Sequence, residues 1–189
     1  TPFKTWQEVI DYAKANPGKV TYGSTGSGGS LHLGMEMLAE KSGVKFTHVP
    51  FKGAAEVNAA VAGGHVMLGA SGTSVRPLVD AGNACLLNVW TAKRVSFLPD
   101  TPTLQDLGYP YVIDSPWGLA GPKGMDPKVV QVLHDAFKKA LEDPAVIESL
   151  GRFDMVPNYK GTADYRAAVD EQIELEDALL KRIGLRKKD

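Results

Sequence analysis

Short apolar segments with strand patterning alternate with helical segments through the first half of the chain, and that alternation leaves few folds open. A strand near 19–23 precedes a helix near 30–42. Val44–Val49 reads as a second strand stopped by Pro50, and a small-residue helix follows near 54–63. A third strand near 65–70, a short helix near 74–81 and a buried strand in the apolar run Cys85–Trp90 continue the series. Strands separated by helices of this length imply parallel βαβ units with right-handed crossovers. The fold class is therefore α/β. In such sheets ligands sit at the carboxyl ends of the strands, where the loops Ser24–Ser30, Pro50–Gly53 and Ser71–Thr73 all emerge.

The first of these loops, Ser24-Thr25-Gly26-Ser27-Gly28-Gly29-Ser30, carries the clearest chemistry. Glycines let backbone approach a ligand, hydroxyls donate hydrogen bonds, and the unpaired N–H groups of a first helical turn favour negative charge. A carboxylate or a phosphate fits. The loop lacks the Lys-Ser/Thr ending of a P-loop and the spacing of a dinucleotide fingerprint, so phosphate is the weaker of the two. A glycine-rich turn that only reverses the chain is the plain alternative.

The second half is different. Leu98–Thr103 is punctuated by proline, and Tyr109–Pro122 is extended and rich in turn residues. Asp126-Pro127 supplies an N-cap and a first-turn proline for a helix through about Leu141. A short helix near 144–150, a short strand at 153–157 and a long helix over 162–183 follow. Much helix with little strand leaves these apolar faces without an evident sheet partner.

Composition narrows the function. With 43% hydrophobic and 23% charged residues and a formal net charge of −1, this is an ordinary globular chain without the basic footprint of a nucleic-acid or acidic-membrane binder. The basic cluster at Lys181-Arg182 and Arg186-Lys187-Lys188 reads as the cationic end of a helix. The single cysteine, Cys85, allows no disulfide within the chain and reads as a small core residue. His32 and Glu36, four apart, read as a helix-face contact, because no third ligand accompanies them. His48 and His65 fall at strand ends and His134 in a helix, too scattered for a metal centre. Trp90 and Trp117 read as core rather than cleft lining. No catalytic set, metal site or cofactor motif is read. Gly26-Ser27-Gly28 is too short for a nucleophile elbow.

Four strings in order carry a resemblance: Tyr22–Glu36, His48–Ala54, Leu98–Thr103 with Gly108, and Trp117–Pro122. Together they are similar to the solute-binding receptors of tripartite tricarboxylate transporters, the Bug family. The resemblance implies a type II periplasmic-binding-protein fold, with two α/β lobes closing on a small mono- or dicarboxylate. It implies that this chain holds one complete lobe with a parallel-type sheet plus the C-terminal part of the other, the opening portion of lobe one being absent. Residues 1–116 would be lobe two and 117–189 the mostly helical return to lobe one. Carried over by position, it implies a ligand carboxylate on Thr25, Gly26, Ser27, Gly28, Gly29 and Ser30. Further contacts would come from Phe51, Lys52 and Gly53, with Lys52 either a counter-charge or a solvated rim residue, and from Ser71, Gly72 and Thr73. Many members place a cleft-facing aspartate near this last loop, and here Ala70 and Ser71 stand instead, which disfavours an amino-acid ligand. The implied partners are the membrane permease subunits of the transporter, in the periplasm; the unpartnered C-terminal helices point separately to self-association or to association with the missing fragment. Two other readings stand beside it: the effector domain of a LysR-type regulator, which shares the bilobal fold, and an enzyme acting on a small anionic metabolite.

Overall fold

The computed structural model describes residues 3–95, 98–113, 118–152, 155 and 157–185. Two compact units divide the chain, one comprising Thr1–Ser115 with Leu179–Asp189 and the other Pro116–Ala178.

The first unit opens with α1 (Trp6–Ala15), entered through a capping box: the Thr5 hydroxyl accepts from the Glu8 N–H, and the Glu8 carboxylate accepts from the Thr5 N–H. Next come β1 (Thr21–Ser24), α2 (Ser30–Ser42), β2 (Thr47–Pro50), α3 (Ala54–Ala62) and β3 (Leu68–Gly69). A single 3-10 turn over Thr73–Val75 leads into α4 (Arg76–Asp80). The three strands form a parallel sheet in the order β2-β1-β3, with Tyr22 opposite both His48 and Leu68. A parallel sheet needs cover on both faces. On one side Trp6, Val9, Ile10, Met35 and Leu38 from α1 and α2 close over Val20, Tyr22, Phe46 and Leu68. On the other, α3 lies close because Gly23 and Gly69, partners in register, carry no side chain. A Cβ on Gly69 would stand 2.8 Å from Val61 Cγ2, and one on Gly23 would stand 3.4 Å from Val57 Cγ1.

Two strand expectations are corrected. Residues 44–46 are not strand, since β2 begins at Thr47 and includes Pro50, the residue expected to stop it. Cys85–Trp90 is not a buried strand either: Cys85 is exposed, and the run makes only an isolated parallel bridge between Val89 and Thr103. The reason is contextual. Strand propensity is realised by a neighbouring strand, and among the described residues β3 ends the sheet. Between its outer edge and Ala84–Thr91 lies a cavity of about 480 Å3, lined from both helical layers by Trp6 and Met35 on one side and Val61 and Val79 on the other.

Trp90 belongs with the partly buried residues against the core, where it lies over Gly34 of α2. A Cβ at Gly34 would stand 2.5 Å from Trp90 Cζ3 and 2.9 Å from Ile113 Cδ1. Gly34→Ala is therefore expected to destabilise the chain by about 1–3 kcal/mol through overpacking, despite alanine's better helix propensity. A urea melt of the variant checks it.

The second unit contains α5 (Pro127–Leu141), α6 (Pro144–Arg152) and most of α7 (Thr162–Arg182), whose last turn from Leu179 belongs to the first unit. Asp126 caps α5 by accepting from the Lys128 N–H at 2.8 Å, as its sequence requires. His134 Nε2 meets the Tyr159 hydroxyl at 2.7 Å. Val132 and Phe137 on α5 are exposed. Of the strand expected at 153–157, residues 155 and 157 are described and neither is in a strand, while its other three residues and Trp117 lie outside the described residues.

Candidate functional site

Because all three strands are parallel, the loops after β1, β2 and β3 leave the same edge of the sheet. Backbone bonds tie them together: Phe51 N–H donates to the Ser24 carbonyl and Ala70 N–H to the Gly23 carbonyl, each at 2.9 Å. Asn58 of α3 donates to the Ser74 carbonyl at 3.1 Å, holding the third loop beside the second.

The 24–30 loop takes its shape from two left-handed glycines, Gly26 with φ +115° and Gly28 with φ +82°. They turn the chain so that Thr25, Ser27 and Gly29 are exposed while Ser24 is fully buried. Gly29, in extended conformation, is the N-cap of α2 and offers no side-chain cap to the helix. An electropositive helix start, two exposed hydroxyls and a bare backbone thus coincide, and an anion is what such a surface favours. Lys52 is exposed on the second loop, where its backbone N–H donates to Glu56 at 3.0 Å. Gly53 starts α3, and the Phe51 ring packs over Gly23.

In the third loop Ser71 Oγ is shut off from water yet has no hydrogen-bond partner. An unpaired buried hydroxyl costs about 1–3 kcal/mol. Ser71→Ala is expected to leave the ligand-free chain as stable or about 1 kcal/mol more stable, a difference read from thermal melts. Gly72 and Thr73 complete that loop. The 480 Å3 cavity touches Ser71, Gly72 and Thr73 but none of residues 24–30 or 51–53. The loop edge and the cavity are separate features.

Beneath the glycine loop lies a polar cluster that residue spacing did not reveal. His32 and His48 stack with ring centroids 3.9 Å apart and planes within 13°. Tyr22 flanks both rings and donates its hydroxyl to Glu36 at 2.7 Å. The Gly28 N–H donates to His32 Nδ1 at 2.9 Å, so this loop amide is turned inward. Ser24 Oγ donates to the Gly26 carbonyl at 3.0 Å and so accepts from His48 Nε2 at 2.7 Å. Burial lowers the pKa of His32 against the opposing pull of Glu36. Burial, then the neighbouring His32, pushes His48 down to about 4. Both rings are neutral at pH 7. His32 and Glu36 do meet on the helix face, with Nε2 and Oε1 3.8 Å apart. The signal that could have linked His32 to His48 was the parallel pairing itself, which sets His48 opposite Tyr22. Among the described residues no group of three or more His, Cys, Asp or Glu gathers to hold a metal ion, and no helix is long and apolar enough to cross a membrane.

The fold defines the class: this chain is built like solute-binding proteins. It matches the periplasmic binding protein BugD with 27% identity and a TM-score of 0.79, covering 100% of this chain and 64% of BugD. It matches an R. palustris protein solved with adipate at 26% identity and a TM-score of 0.81, covering 97% and 62%. Within that class residues 1–185 match the tripartite tricarboxylate transporter family receptor, TctC, and the chain belongs to that family. A relative, the "UPF0065 protein in gbd 5'region" of Cupriavidus necator, is 50% identical over 187 residues, which are 99% of this chain and 57% of that protein. The chain thus spans under two thirds of the length of these relatives. The family model describes receptors, and BugD is a periplasmic binding protein.

Proposed function

We propose that this chain is the larger part of an extracytoplasmic receptor that captures a small mono- or dicarboxylate and delivers it to the permease subunits of a tripartite tricarboxylate transporter. The observation that carries this reading is the exposed, left-handed glycine loop at the start of α2, standing at the shared carboxyl edge of a parallel sheet. One ligand carboxylate sits on Thr25, Gly26, Ser27, Gly29 and Ser30, with Gly28 shaping the loop. Lys52 and the third loop at Thr73 flank it. The adipate in the R. palustris relative supports a dicarboxylate. In this reading the seat lies in lobe two, residues 1–116. Capture is closure without chemistry, and the receptor works in the periplasm.

Each charge-assisted hydrogen bond to the carboxylate contributes about 1.5–3 kcal/mol. Ser27→Phe with Thr25→Val, in the receptor that contains this chain, is therefore expected to weaken adipate binding by at least about tenfold in calorimetry. Unchanged affinity sinks the assignment of the loop, and turnover of adipate would argue for an enzyme. The 189-residue chain alone is expected to bind adipate far more weakly, because donors open to water are worth less than enclosed ones. Exposed Val132 and Phe137 favour self-association of that chain, which size-exclusion chromatography reads directly.

A further inference from the structure

We infer that His32 and His48 are positioning residues for the carboxylate seat: as a neutral stacked pair they hold the glycine loop in its receiving shape, and protonation of His32 releases it. This rests on reading residues 24–30 as that seat. The geometry is specific. The two left-handed glycines of the loop lie next to its two tethers, the Gly26 carbonyl held by Ser24 and the Gly28 N–H held by His32 Nδ1. Ser24 is oriented in turn by His48 Nε2, and the two imidazoles hold each other by stacking at 3.9 Å. Neither tether touches the exposed hydroxyls of Thr25 and Ser27, which remain open to a ligand.

The tautomers follow from these bonds. His32 accepts at Nδ1, so its single proton lies on Nε2, toward Glu36 Oε1 at 3.8 Å. His48 carries its proton on Nε2, donated to Ser24. A second proton on His32 must go to Nδ1, where it would face the Gly28 N–H, donor against donor. That bond is lost, and with it one of the two tethers. A second proton on His48 goes to Nδ1 and leaves the Ser24 bond in place. His32 is thus the sensitive partner, and Glu36 beside it supplies the counter-charge for its cation.

The groups facing the pair are few. Tyr22 on β1 lies against both rings with its hydroxyl on Glu36, and Glu36 is the carboxylate beside them on α2. A turn further along α2, Glu40 pairs with Arg182 of α7 at 2.6 Å, and Lys45 borders the same depression. Leu180 of that last turn comes within 3.6 Å of where a Gly28 side chain would begin, so the loop is backed by apolar atoms there.

The test is a nitrogen-15 NMR titration of the receptor that contains this chain, from pH 7.5 to 4 without any carboxylate. At pH 7.5 the His32 ring is expected to show the Nε2–H tautomer. As pH falls, the Gly28 amide is expected to shift with the midpoint of the His32 ring, below the ordinary histidine range. His32→Gln, whose side-chain oxygen can accept from Gly28, is expected to keep the Gly28 amide in place at every pH. A Gly28 amide that stays still while His32 titrates, or one that shifts alike in His32→Gln, overturns the proposal. If His32→Gln does not fold, the wild-type titration alone decides. Adipate affinity of the receptor is then expected to fall at least tenfold from pH 7 to the acid side of the His32 midpoint, and much less in His32→Gln. Equal pH profiles would overturn control of binding by the pair. No adipate binding at pH 7 with the Gly28 titration intact would overturn the carboxylate reading and leave the tether standing.

Discussion

A receptor carrying Gly28→Val is expected to lose adipate binding by about two orders of magnitude and to fall in stability by about 1–2 kcal/mol. Gly28 has φ +82°, where an L-residue brings its Cβ against its own backbone, and a β-branched residue fares worst. Space is not the obstacle, since a Cβ there would meet Leu180 Cδ2 at an ordinary 3.6 Å. The chain would escape the strain by leaving the left-handed region, which turns the Gly28 N–H away from His32 and moves the amides of the α2 start with it. A hundredfold loss corresponds to about 2.8 kcal/mol, one or two charge-assisted hydrogen bonds. The control is Gly43→Val. Gly43 ends α2 at φ +65° with open space around it, so it carries the same backbone strain away from the loop. Chemical denaturation should show both variants weakened. Calorimetry should show only Gly28→Val failing to bind, and an adipate affinity that survives Gly28→Val would remove the loop from the site.

Tyr22→Ala is expected to destabilise the chain by about 3–5 kcal/mol, a large share of the stability of a domain this size. Tyr22 is fully buried at the centre of β1, edge-on to Phe46 and flanked by both imidazoles, so its loss opens a cavity under the loop. Tyr22→Phe separates packing from polarity. It keeps the ring and removes only the hydroxyl that Glu36 accepts, for a cost of about 1 kcal/mol. Alkaline pH offers an independent check. Burial, helped by Glu36, raises the Tyr22 pKa well above its ordinary 10, so the folded chain keeps a proton there that the unfolded chain gives up. Stability from this group is therefore complete below pH 10 and falls as pH rises beyond it. Tyr22→Phe should flatten that decline in melts taken across the alkaline range, and an unchanged decline would show that Tyr22 is not its source.

Local features of the chain were legible residue by residue. Asp126-Pro127 announced the start of α5, the Thr5–Glu8 capping box opens α1, and Gly43 serves as the left-handed end of α2. These are interactions within one turn of the chain, so the residues that make them are adjacent in sequence. The parallel order also followed, because helices between strands permit little else. Cys85–Trp90 departs from its pattern for the complementary reason. Its apolar composition fits a strand, but a strand needs a partner, and beside β3 there is a cavity instead.

The α/β alternation, the glycine-rich start of α2 and the sheet edge from which three loops emerge are all written in the linear chain. Each follows from periodicity, backbone freedom at glycine, or the direction of parallel strands. The support beneath that edge is written nowhere in it and arises from packing alone. Gly23 and Gly69 are fillers in a linear reading, and become the seat of α3 once β1 pairs with β3. His32 and His48 stand sixteen positions apart on different elements, and no spacing rule joins them. They stack only because β2 pairs with β1 in one register and α2 packs across both, and hydrogen bonding and burial take their meaning from that three-dimensional coincidence.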